Sequence, residues 1–229
     1  MNPVKEGALT DAPALTPLQI LYADDSLLVL NKPSGLLSVP GRGEDKQDCL
    51  SRRAQFLHPD ALVVHRLDMA TSGLMLMARG AAMQRALSQQ FERRGVHKRY
   101  VAMVDGWLAP ASTADGWSLI DLPIAVDWPH RPLRIIDADS GKPSQTRWRS
   151  LAFDEAANSS RVELEPLTGR SHQLRVHLLA LGHPILGDAL YAPEAVLARS
   201  PRLLLHACAL RLAHPATGAM LSFQSPPEF

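Results

Sequence analysis

The stretch His65-Arg66-Leu67-Asp68-Met69-Ala70-Thr71-Ser72-Gly73-Leu74 decides the reading of this chain. Before it lies the apolar run Ala61 to Val64, and after it the run Leu74 to Ala78. Short apolar runs bounded by turn residues read as buried strands, so the stretch is a tight excursion between two of them. Asp68 therefore sits on a loop held by rigid neighbours. Residue type alone leaves its role open, because Asp followed by Thr71, Ser72 and Gly73 also builds an ordinary hydrogen-bonded turn.

Working outward, Leu18 to Tyr22 and Leu27 to Leu30 are apolar runs separated by Ala23-Asp24-Asp25-Ser26, the signature of a hairpin. Lys32-Pro33-Ser34-Gly35-Leu36 is a turn, and its lysine reads either as structural or as a contact for a ligand. The segment before the hairpin, residues 1–17, holds Pro3, Pro13 and Pro17 among small and polar residues and is expected to be a flexible tail. A helix is expected over Cys49 to Phe56 and a second from Ala81 to about Arg93, where Met83, Leu87 and Phe91 fall on one face and read as core. Val96 to Val104 reads as a strand whose first half, His97-Lys98-Arg99-Tyr100, is basic. Proline punctuation makes 105–160 a region of edge strands and loops, with an alternating strand near Ser144 to Leu151.

Further on, Thr168-Gly169-Arg170-Ser171-His172-Gln173-Leu174-Arg175-Val176-His177 opens with a glycine turn and a serine suited to capping a helix. Leu174, Leu178 and Leu181 give that helix an apolar face, and Gly182-His183-Pro184 stops it. His172 and His177 are five residues apart and lack the spacing of a zinc helix. Arg202 to Ala207 and Met220 to Phe223 read as a final pair of strands.

Composition narrows the function. Hydrophobic residues make up 46% of the 229, enough for a sizeable core. No run reaches the roughly 18 apolar residues of a membrane span, and the first residues lack the apolar core of a secretory signal. The expected location is the cytoplasm, with Cys49 and Cys208 as reduced thiols. Net charge is only +1, yet residues 42–99 carry 11 Lys/Arg against 6 Asp/Glu, whereas 105–165 carry 6 against 10. The positive excess flanks Asp68, and a local stripe of that kind suffices to track phosphates.

Four blocks in order, LYADDSLLVLNKPSG, HRLDMATSGL, HKRYVA and TGRSHQLRVH, resemble the motifs of the RluA-type pseudouridine synthases, and the resemblance spans about residues 18–229. It implies an α+β fold: a mixed, mainly antiparallel sheet flanked by helices and loops, with a central active-site cleft, formed by one catalytic domain over 18–229. The larger relatives often carry an additional N-terminal RNA-binding domain, for which a hairpin starting near residue 18 leaves no room. DLPIAVDWPHRP and GKPSQT look like the shorter, dual-specificity branch, so the implied partners are large-subunit (23S) ribosomal RNA and the anticodon stem-loops of transfer RNA.

By the same resemblance Asp68 is the catalytic aspartate, Tyr100 packs on the target uracil, Arg170 pairs with Asp68, and Leu204 or Leu205 lines the base pocket. The reaction breaks the N1–C1′ bond, turns the uracil and joins C5 to C1′. It is redox-neutral and implies no cofactor and no metal. A stacked base must be extruded at a cost of about a few kcal/mol, and Arg66, with its planar guanidinium, is the expected wedge. Two other classes compete. A retaining glycosidase-like hydrolase needs two carboxyl groups about 5 Å apart, where the motif offers one acid; a non-catalytic RNA-binding module would not need the Asp68–Tyr100–Arg170 set.

Overall fold

The computed structural model describes residues 18–229, so the expected tail over 1–17 lies outside the described residues. The hairpin is present as β1 (Gln19–Ala23) and β2 (Leu27–Lys32). Asp24 closes it by accepting the amides of Ser26 and Leu27 at 2.7 and 2.9 Å, the Asx-turn geometry that makes Asp a turn former. Then come α1 (Leu50–Leu57), β3 (Ala61–Val63), β4 (Ser72–Arg79), α2 (Gly80–Glu92) and β5 (His97–Asp105). The proline-punctuated middle gives β6 (Ser118–Asp121) and a separate ribbon of β7 (Ile124–Val126) and β8 (Arg134–Ile136). Long β9 (Gln145–Asp154) and β10 (Ser159–Pro166) precede α3 (Gln173–Ala180) and the single-turn α4 (Glu194–Leu197). β11 (Leu205–Ala213) and β12 (Met220–Gln224) close the sequence of elements.

Ten strands form one sheet in the order β1-β2-β4-β11-β5-β10-β9-β6, with β12 added to β11 and β3 to β4. Every pairing is antiparallel except β4 with β11. β4 is buried on both faces, which is why Leu74 to Ala78 reads as an unbroken apolar run. Its Met75 and Met77 join the core shared with Leu50 and Ala54 of α1 and Leu174 and Leu178 of α3. Leu74, Leu76 and Ala78 join the opposite core, under Leu87 of α2. Met83 and Phe91 pack against that second core as their spacing predicts.

The parallel joint consists of two residue pairs, Ser72 with His206 and Gly73 with Ala207. Gly73 has φ +106, and a Cβ there would lie 2.3 Å from the Ala207 carbonyl oxygen. Only glycine lets the backbones approach so closely in that conformation. The glycine of the central motif thus stitches the N-terminal strands to the C-terminal ones.

Candidate active site

Asp68 lies on the loop between β3 and β4, and surrounding polar groups bind the backbone of that loop from Leu67 to Thr71. Ser38 donates its hydroxyl to Leu67 O at 2.7 Å and accepts the Leu67 amide at 3.1 Å. Ser34 donates to Ala70 O at 2.7 Å, and the Gly35 amide to Met69 O at 2.9 Å. The Thr71 amide closes back on Asp68 O at 3.1 Å. Beneath them Lys32, 1% exposed, donates to the carbonyls of Met69, Leu36 and Pro33 at 2.8–2.9 Å. Burial pulls this lysine down to about 7 and the Asp68 charge opposes the fall. Three carbonyl acceptors require three N–H donors, which only the ammonium form carries. Of the two readings left open for Lys32, the structural one holds: its charge is spent on the loop.

His65, at the start of the motif, stacks on Phe91 with centroids 4.8 Å apart and accepts the Leu76 amide on Nε2 at 2.8 Å. An accepting Nε2 makes it a neutral imidazole with its proton on Nδ1. Burial, with the nearby Lys98 charge, pulls it down to about 3.

The carboxylate of Asp68 is 29% exposed and faces an arginine, although not the expected one. Arg175 Nη1 lies 3.5 Å from Asp68 Oδ2. Arg170 is exposed and directs its guanidinium to Pro143 O at 3.4 Å. The reason is the geometry of α3. Arg170 precedes the helix in the turn, whereas Arg175 is its third residue and buried with its neighbours Gln173 to Leu178. A buried arginine must be paired, and Arg175 is gripped by Asp188 through Nε–Oδ2 at 2.8 Å and Nη2–Oδ1 at 2.5 Å. Asp188, 1% exposed, also accepts the Leu190 and Tyr191 amides.

The helix start differs too. Ser171 does not cap it. The N-cap is His172 in left-handed conformation, φ 59, and the Gln173 side chain reaches back to accept the Arg170 amide at 3.0 Å. His172 Nδ1 meets the Tyr191 hydroxyl at 2.6 Å, and that hydroxyl accepts the Arg134 amide at 3.0 Å. His177 is bonded to Thr146 Oγ1 and Leu122 O.

Tyr100 is on β5 at 9% exposure and packs in the same core as Leu67, the neighbour of Asp68 on its loop; both burial and the Asp68 charge push its hydroxyl up. Opposite it, Ala207 pairs with Tyr100 and Leu205 with Ala102, so Leu205 shares Tyr100's face of the sheet; Leu204 precedes the strand and is half-buried. Arg66 is exposed and makes no hydrogen bond or ion pair with the described residues. A cavity of about 390 Å³ beside the loop is lined by Lys32, Ser34, Ser72, Arg202, His206 and Glu228, and Asp68 does not line it. The arrangement around Asp68 thus offers one half-open carboxylate, a buried cation behind it and an aromatic ring beside it.

Residues 26–180 match the family model of RNA pseudouridylate synthase. The chain belongs to that family. It is 51% identical to the dual-specificity RNA pseudouridine synthase RluA of Escherichia coli (strain K12) over 212 residues, 93% of this chain and 94% of the relative. RluA of Yersinia pestis is 47% identical over 92% of this chain and 99% of its own length. Among solved structures, Human RNA Pseudouridylate Synthase Domain Containing 1 superposes with a TM-score of 0.76 at 30% identity, covering 96% of this chain and 87% of that one. The α+β architecture read from the sequence is that of the pseudouridylate synthases.

Sequence reasoning missed Arg175, Asp188, Tyr191 and His172 as members of the site. The resemblance gives the pairing role to Arg170, and the apolar face read for α3 through Leu174, Leu178 and Leu181 does not reveal that the helix is buried on every side of its first six residues, Arg175 included. The available signal was Asp188 within GHPILGDALY, an acid among apolar residues that needs a cation.

Proposed function

We propose that the chain isomerises uridine to pseudouridine in large-subunit ribosomal RNA and in the anticodon stem-loop of transfer RNA, with Asp68 as the reacting carboxylate. The observation that carries this is the single half-open carboxylate on an immobilised loop, with Arg175 behind it and Tyr100 beside it. The other acid nearby, Asp188, is buried and saturated with donors. Asp188 is therefore not free to serve as the second carboxylate of a retaining hydrolase.

In the reaction the N1–C1′ bond breaks, the uracil turns, C5 bonds to C1′, C5 loses its proton and N1 gains one. Asp68 is the nucleophile or charge stabiliser on the sugar side, and Arg175 balances its charge. Tyr100 and Leu205 bound the uracil. Arg66, exposed and unpaired among the described residues, fills the space that the base leaves. Arg170, displaced from the Asp68 role, reaches the RNA backbone from the turn. The β7–β8 ribbon supports an RNA partner, because Trp128 is 65% exposed with the Arg131 guanidinium 3.7 Å from its ring centre, and such platforms stack bases. Substrates of that kind support a cytoplasmic location.

The test is tritium release from C5-tritiated uridine in ribosomal and transfer RNA transcripts. Release by the wild type that vanishes in Asp68→Asn is expected, and the transcript that releases names the substrate. Free uracil in place of pseudouridine would instead make the protein a hydrolase. Arg66→Ala is expected to slow turnover on folded RNA more than on a flexible single strand; equal losses would remove the wedge.

A further inference from the structure

His172 stands apart from the other residues around Asp68 in three respects. First, it has left-handed backbone at φ 59, a conformation shared among the described non-glycine residues only by Arg94 and Asn158. Those two lie in tight turns, after α2 and between β9 and β10, whereas His172 occupies a helix N-cap, where extended backbone is the rule. A non-glycine residue held there stores strain, and such strain gathers at functional sites.

Second, its tautomer is determined by its neighbours. The Tyr191 hydroxyl accepts the Arg134 amide, and its own proton finds a partner only in His172 Nδ1. A neutral His172 whose Nδ1 accepts carries its proton on Nε2. Burial, together with the charges of Arg175 and Arg134, holds the ring below its ordinary titration range, while Asp68 and Asp188 oppose the fall. Third, Nε2 has no hydrogen-bond partner among the described residues and is not sealed from solvent. Nδ1 is thus committed to the protein and Nε2–H is left to donate outward, next to Tyr191, whose ring centre lies 5.0 Å from the Arg175 guanidinium that faces Asp68.

Resting on the pseudouridine synthase reading, we infer that His172 is a substrate-contacting residue, which donates Nε2–H to an acceptor oxygen of the flipped nucleotide while Tyr191 fixes its tautomer. The left-handed N-cap and the Tyr191 hydrogen bond together hold the imidazole in place. A neutral donor fits a site where Arg175 already supplies the positive charge.

His172→Gly separates side chain from backbone, because glycine adopts φ 59 without strain. On an RNA that the wild type isomerises, this variant is expected to fold, to melt slightly lower because the Tyr191 hydroxyl loses its acceptor, and to lose about tenfold in kcat/KM, the size of one lost neutral hydrogen bond. His172→Gln, which keeps a neutral donor, is expected to recover part of the loss, and Tyr191→Phe to show a smaller loss of its own. An unchanged kcat/KM in His172→Gly would overturn the inference while leaving the synthase reading intact. A lowered melting temperature shared by His172→Asn, which also accepts left-handed backbone, with kcat/KM intact in the folded fraction, would reduce His172 to a helix support. No turnover by the folded wild type on either RNA class would overturn the synthase reading and this inference with it.

Discussion

At the scale of single residues the site is governed by one buried pair. Arg175 and Asp188 are 4% and 1% exposed, and the guanidinium that Asp188 holds at 2.5 Å also faces Asp68 at 3.5 Å. Removing one partner of a buried pair strands the other, at a cost of roughly 3–5 kcal/mol. Arg175→Met is therefore expected to lower stability by about that amount and to abolish turnover. Arg170→Ala, exposed and on a single carbonyl, should leave the melting temperature unchanged and weaken RNA binding; a thermal melt and an RNA titration of the two variants check both halves. The sequence made Asp68 and Tyr100 legible because each is embedded in a contiguous local pattern. It did not make Arg175 legible: the resemblance gave the role to Arg170, the first arginine of the ten-residue block, and only the burial of the helix brings the second, Arg175, to Asp68.

At the scale of elements the Asp68 loop depends on Lys32 and on Gly73, which come from the strands beside it. Lys32→Met keeps the aliphatic stem and deletes three hydrogen bonds to carbonyls. It is expected to fold, to melt lower by about 1–3 kcal/mol of stability, and to lose activity out of proportion as the loop loosens. Gly73→Ala is expected to be worse, because its Cβ would meet the Ala207 backbone rather than a movable side chain. A loss above about 3 kcal/mol in a denaturant melt is the expected size; a mild effect would show that the β4–β11 joint can open. β1, β2, α1 and α2 were legible within a residue or two, whereas β10 was not read at all and β11 begins three residues later and runs six further than the apolar run Arg202 to Ala207 suggested. The cap of α3 was not legible either, because Ser171 carries the usual capping chemistry while the backbone turns one residue later through His172.

For the whole molecule the buried histidines set the response to acid. In the unfolded chain His65 takes up a proton below about 6.5, but in the native protein only near 3. Between those values the unfolded state holds more protons, so stability falls as pH drops from 6.5 toward 3. Protonation also removes the acceptor of the Leu76 amide. His177 and His206 are lowered by burial in the same direction, and Asp24, held at about 2 by its hydrogen bonds, adds a loss between 3.8 and 2. The melting temperature is expected to fall steadily from pH 7 to pH 4, and His65→Gln, which retains an acceptor, to flatten the slope. An identical slope in the variant would assign the acid sensitivity elsewhere.

The parallel joint of β4 and β11 also orders events in time. Ser72 and His206, whose side chains meet at 2.9 Å, are separated by 134 positions in the chain. Contacts of such long range are slow to close and cannot form until both partners have been synthesised. A chain halted after Ser200 has the whole HRLDMATSG loop but lacks the strand that seals its far end. Such a chain should neither unfold cooperatively nor release tritium from RNA, and a cooperative melt would show that the seal is dispensable. The catalytic loop is thus among the first segments to leave the ribosome and among the last to become competent.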